Sequence, residues 1–148
     1  MSKSMYGRSV SIVGVGCTPF MYTLDSEEYH NITEHELLGY AALSAMEDAG
    51  IRATDVEYYF HGQASPLAGS NQLTPNIHCG NWFGMKGKGS IHHSEACCTG
   101  YLALEEAVNA VASGKDNEVS DGQDFIYFNN NYSTSSFFSF QFFNFFIH

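Results

Sequence analysis

Positive charge is scarce in this 148-residue chain: six Lys and Arg stand against sixteen Asp and Glu, for a net charge of −10 with histidines neutral. With no basic cluster, the chain lacks the Lys/Arg stripe that displaces counterions from a phosphate backbone, which argues against nucleic acid as a partner. An acidic surface also disfavours anionic membranes. No apolar run approaches the roughly 20 residues that span a bilayer, and the opening MSKSMYGRSV has no hydrophobic signal core. The chain reads as cytoplasmic. Only four cysteines are present, Cys17, Cys79, Cys97 and Cys98. Without a secretory signal they do not read as a disulfide framework, and each is a candidate for filler, metal ligand or nucleophile.

Punctuation is missing from one end only. After Lys115 no Lys or Arg occurs, and nine of the twelve Phe lie between Phe125 and Phe146. The segment Asp124 to His148 shows neither helical nor strand periodicity and carries no Gly or Pro. An uncharged aromatic run such as Phe137 to Phe146 is an aggregation hazard. Phe, Asn, Ser, Tyr and Ile all have A/T-rich triplets, so this end reads as translated non-coding or out-of-frame sequence. Its rival is a lipid-facing or partner-binding tail. The division expected is 1–119, an enzyme-like domain, and 120–148, an aberrant Phe/Asn/Ser-rich tail.

The first part alternates strand and helix. Ser9 to Val15 is β-branched and ends at Gly16, as a buried strand would. Thr33 and Glu36 have capping-box spacing, and Leu38, Ala41, Ala42, Ala45, Met46 and Ala49 share one helical face until Gly50. Val56 to Phe60 predicts a second strand and Ile91 a brief third. Asn81 to Met85 predicts a short buried segment in an otherwise Gly/Pro/Asn-rich stretch. Thr99 to Ser113 predicts a helix with Ala103, Leu104, Ala107, Val108 and Val111 inward, closed by Gly114. The order predicts an α/β fold with a parallel or mixed sheet covered by helices.

Three patterns carry candidate chemistry. Gly14-Val-Gly16 after a strand invites a dinucleotide site, but Pro19 stands where the third Gly is needed and the segment has turn character. His78, Cys79, His92, His93, Cys97 and Cys98 could ligate zinc. Vicinal cysteines place two sulfurs on one tetrahedral ion with difficulty, and His92 and His93 in a strand point to opposite faces, so no metal site is expected. The third pattern is Ser90 to Ala107, where a short strand turns through Glu95-Ala-Cys97-Cys98-Thr99-Gly100 into an amphipathic helix. A thiol there meets the N–H groups and positive end of a helix, which favours thiolate and the stabilisation of an anion nearby. The alternative is a small apolar Cys packing an elbow.

Residues 1–115 resemble the N-terminal part of the thiolase superfamily, in particular sterol-carrier-protein-type thiolases and archaeal acetyl-CoA acetyltransferases. The resemblance rests on Val10 to Phe20, Glu36 to Ile51, Asp55-Val56-Glu57, the elbow Glu95-Ala-Cys97-Cys-Thr99-Gly100, and Ala107 to Gly114. Phe60 to Pro66 and the His-His pair are similar to the thiolase-like subunit of acetylphloroglucinol acetyltransferase. The resemblance implies thiolase-like α/β/α layers, here an incomplete N-terminal half with a mixed sheet. It assigns Cys97 as the nucleophile, in the pattern Cys-x-Thr-Gly, and leaves Cys98 at the variable position. It implies acyl transfer through a cysteine acyl-enzyme, with acetyl-CoA or another acyl-CoA as substrate and no bound cofactor. The reaction is a Claisen condensation, its thiolytic reverse, or acetylation of carbon. Implied partners are further copies of the chain, an OB-fold protein and a ketoacyl-synthase-like subunit. The family's second His and Cys/His bases lie in its C-terminal half, so this chain alone is expected not to turn over. It then reads as a fragment, a catalytically inactive partner subunit or a non-functional translation product.

Overall fold

A computed structural model describes residue 7 and residues 9–19, 27–28, 30–64 and 71–113, together with the backbone of 124–130 and 142–147. Phe20, Pro66, Gly114 and the stretch 131–141 lie outside the described residues. Five strands form one sheet: β1 Ile12–Cys17, β2 Val56–Gln63, β3 Gly89–His93, β4 Asp124–Asn130 and β5 Phe142–Ile147. The helices are α1 Glu34–Ala49, α2 Pro75–Gly80 and α3 Thr99–Ser113. Across the sheet the order is β1-β5-β4-β2-β3. β2 runs parallel to both β3 and β4, while β5 is antiparallel to β4 and β1. The sheet is therefore mixed, as expected.

α1 begins and ends where its sequence says. Thr33 Oγ1 accepts the Glu36 amide at 3.3 Å, and Glu36 Oε2 accepts the Thr33 amide at 2.8 Å. Gly50, at φ 70°, takes the left-handed position that stops the helix. Its Leu38, Ala41, Ala42, Ala45 and Met46 are buried together with Val56, Tyr59, Phe83 and Met85. On the other face, Ala103, Ala107 and Val111 of α3 pack with Phe60. Strand alternation explains the two cores, because Tyr59 and Phe60 are neighbours that point to opposite faces. Helix, sheet and helix form three layers.

Gly14 and Gly16 serve this packing. A Cβ on Gly14 would stand 2.6 Å from the Ala45 carbonyl oxygen, and one on Gly16 would collide with the Ala41 carbonyl. The small stripe of α1 thus lies directly on β1, and the pair of glycines is a close-approach device rather than a phosphate loop. On the same strand, Asp48 Oδ2 accepts the Val15 amide at 2.9 Å, which occupies a donor of an edge strand.

Three expectations change. The first strand, expected to be buried over Ser9 to Val15, is β1 at the edge of the sheet, and its Ile12, Val13 and Val15 are exposed while only its glycines are covered by α1. The stretch after Gln63 contains a short helix, α2, and within 81–85 only Phe83 and Met85 are buried while Trp82 is 55% exposed. The segment from Asp124, which showed no strand period, supplies β4 and β5 in the interior of the sheet. An apolar run without alternation does not by itself separate an interior strand from other elements.

Candidate active site

β2, β3 and β4 are parallel, so their C-terminal ends emerge on one edge, the side where α/β sheets gather their reactive groups. β3 ends at His93, and within six residues the chain reverses into α3. The reversal is a 3₁₀ turn, Ala96–Cys98, that runs straight into the helix. Ala96 sits at φ 48°, a left-handed conformation disfavoured for a residue with a Cβ.

Hydrogen bonds hold this turn from both sides. Cys98 N–H donates to the Glu95 carbonyl at 3.0 Å, and Glu95 N–H donates to Thr99 Oγ1 at 2.7 Å. Thr99 is fully buried, so its hydroxyl acts as an internal brace across the turn that presents Cys97. Upstream, Ser94 Oγ donates to the Ala64 carbonyl at 3.1 Å, and His92 Nε2 lies 3.1 Å from the Gln63 carbonyl oxygen. A carbonyl only accepts, so His92 carries its proton on Nε2. These two bonds tie the exit of β3 to the exit of β2.

The four thiols are placed very differently. Cys97 and Cys98 are exposed on the turn, and Cys17 is exposed on β1. Cys79, in α2, is 2% exposed, and burial pushes its thiol far above the usual range. Of the residues considered as zinc ligands, His92 is committed to Gln63 and Cys79 is in the α1-side core. Among the described residues no group of three His, Cys, Asp or Glu is arranged to hold one metal ion.

A polar network behind the turn was not anticipated. His61 is fully buried on β2 with Nε2 3.1 Å from Gln63 Oε1, and Gln63 Nε2 donates to Glu34 Oε1 at 2.9 Å. The Gln63 amide orientation fixes His61 as the Nε2–H tautomer, leaving Nδ1 without a hydrogen-bond partner among the described residues. The His61 ring lies 5.5 Å from that of His92. Burial, followed by the nearby His92 and His35, lowers the His61 pKa to about 3, so the ring is neutral at ordinary pH. His35 and His92 are lowered as well, each chiefly by burial. The sequence carried a signal for this: Tyr59, His61 and Gln63 fall at alternate positions and so share the face that α1 covers.

The five-stranded mixed sheet between helices is the arrangement of thiolase-fold proteins. Comparison with solved structures gives the same fold: acetyl-CoA acetyltransferase from Syntrophomonas wolfei matches with a TM-score of 0.64 and 22% identity, covering 80% of this chain and 28% of that one. The 3-oxoacyl acyl-carrier-protein synthase III of Aquifex aeolicus VF5 matches with a TM-score of 0.66 and 14% identity, covering 94% of this chain and 53% of that one. In sequence the chain is similar to the acetyl-CoA acetyltransferase of Methanothermobacter thermautotrophicus, 29% identical over 107 residues. Those residues are 72% of this chain and 26% of that protein, so the chain spans about a quarter of its curated relative. No protein-family model matches the chain. Among the described residues no helix is long and apolar enough to cross a membrane.

Proposed function

We propose that this chain carries the acyl-accepting part of a thiolase-like acyltransferase, with Cys97 as nucleophile. The observation that supports it most is the presentation of Cys97, exposed on a strained turn at the head of α3 and braced from beneath by Thr99. In the reaction, the Cys97 thiolate attacks the carbonyl carbon of an acyl-CoA. A new sulfur–carbon bond forms, the carbon–sulfur bond to CoA breaks, and CoA leaves as a thiolate that takes up a proton. Acetyl-CoA is the favoured donor, by similarity to two proteins named acetyl-CoA acetyltransferase.

Carbon–carbon bond formation needs a second, positioned base and a pocket closed to water. On β3, His92 is engaged with Gln63, and His93 Nε2 has no hydrogen-bond partner among the described residues, so neither imidazole is bonded to Cys97 through these atoms. The proposed scope of these 148 residues is therefore acyl loading without turnover. Iodoacetamide mapping by mass spectrometry tests the assignment: Cys97 is expected to be alkylated before Cys17 and Cys98, and Cys79 last. Faster labelling of Cys98 or Cys79 would remove Cys97 from its role.

A second reading is favoured by one observation, the composition of 120–148, whose Phe-rich, cation-free sequence differs from everything before it. In that reading the chain is an inactive partner subunit or a fused, non-functional product, and Cys97 accepts no acyl group.

A further inference from the structure

On the α1 side of the sheet, well below the cysteine turn, α2 and the loop after it enclose a notch of about 60 Å³ against β2 and β3. That is several times the roughly 10–15 Å³ a single water needs, room for a small polyatomic group such as phosphate. Its floor is Tyr59 and Met85, both buried, and none of its lining residues is acidic. Its rim holds Lys86 and Lys88, two of the six cations in a chain of net charge −10.

Hydrogen bonds hold the polar groups around the notch in place. Lys88 Nζ donates to the Thr54 carbonyl at 3.1 Å, which fixes its position and leaves two N–H groups to give. Lys86 and Gly87 form the corner of a turn closed by Lys88 N–H to the Met85 carbonyl at 3.0 Å. Gly87 stands at φ 82° there, the type II position that requires glycine. Asn76 Nδ2 donates to Ser90 Oγ at 2.8 Å, and the Ser90 side chain is also engaged with Tyr59, so both are held in place at the wall of the notch. The carboxylate next along the chain, Asp55, is held by Arg52 at 3.1 Å and does not compete for the lysines.

We propose that this notch is a binding site for a phosphate-type dianion, either inorganic phosphate or the terminal phosphate of an ester. A cavity of that size, with two lysines at its rim, asparagine amides in its wall and no carboxylate in its lining, is matched by tetrahedral oxyanion chemistry. The site is separate from Cys97 and stands or falls independently of acyl transfer.

The test is titration of the full chain, followed by backbone-amide NMR, with inorganic phosphate and with glycerol 3-phosphate, against chloride at matched ionic strength. Saturable shifts of the Gly87, Lys88 and Ser90 amides are expected with both phosphates. Lys86→Gln combined with Lys88→Gln should weaken binding by about tenfold or more, as loss of charge-assisted hydrogen bonds implies, with the remaining amides unmoved. Equal affinity for the two probes identifies the phosphate alone as the ligand; tighter binding of the ester identifies a larger molecule that carries one. No saturable shift at these amides, the same shifts with chloride, or undiminished binding by the double variant would overturn the proposal.

Discussion

The strands β2 and β3 and the strands β4 and β5 belong to one sheet but differ sharply in sequence. β2 and β3 come from a stretch with helix caps, glycine stops and alternating faces; β2 side chains enter both cores, and β3 leads into the cysteine turn. β4 and β5 come from a stretch of Phe, Asn, Ser and Tyr without a single cation. Yet β4 and β5 lie between β1 and β2, so no ladder joins the first strand to the second without them. Composition sets this segment apart from the domain, whereas placement puts it at the centre of the sheet. Placement has the sharper consequence, because an interior strand cannot be removed without leaving backbone donors and acceptors unpaired on two neighbours.

Truncation after Gly122 breaks the comparison most forcefully. If β4 and β5 hold the sheet together, the shortened chain loses cooperative thermal unfolding and its near-UV circular dichroism. A truncated chain that unfolds cooperatively and is more soluble than the full one would show that the segment is an appendage, as its composition suggests.

A smaller effect sharpens the contrast from the other side, where side chains rather than ladders set the geometry. Thr99→Val keeps the shape but removes the oxygen that accepts the Glu95 amide. The half-buried amide left without a partner costs about 1–3 kcal/mol. Chemical denaturation should show that loss, and Cys97 should be alkylated more slowly because its turn relaxes. Unchanged stability and an unchanged alkylation rate would mean that Thr99 does not brace the turn.

A further effect, small near neutral pH, is expected at His61, which sits opposite Phe128 of β4 in the ladder. With its pKa lowered from 6.5 to about 3 in the folded chain, the unfolded state binds more protons between those values. Stability is therefore fully present above the unfolded value of 6.5 and declines as the pH falls through that window. His35 and His92, also lowered, act in the same direction. His61→Gln should flatten the decline. An equally steep decline in that variant would place the proton uptake elsewhere.

How much of this was legible follows the same divide. The capping box at Thr33 and Glu36, the stop at Gly50 and the span Thr99–Ser113 appear in the structure as their residues predict, since caps and periodicity are local signals. The meaning of Gly14 and Gly16 was not local. Only the docked helix shows that their missing Cβ atoms make room for Ala41 and Ala45. The His61–Gln63–Glu34 network joins residues 29 apart and so left only the faint trace of polar residues on a buried strand face. β4 and β5 were illegible because an apolar run without alternation fits an interior strand, a buried helix or no element equally well. At the candidate site, the order of strand, cysteine turn and helix agrees with the sequence, while the preference for Cys97 over Cys98 rests on the Cys-x-Thr-Gly resemblance.

The direct measurement is acyl loading. Incubating the full chain with acetyl-CoA, quenching in acid and mapping peptides by mass spectrometry should find acetyl on Cys97, absent from a Cys97→Ala variant, with no sustained thiolysis of acetoacetyl-CoA by either protein. Acetyl on Cys98 or Cys17, or an unmodified Cys97 that iodoacetamide shows to be accessible, would contradict the assignment of Cys97 as the acyl acceptor.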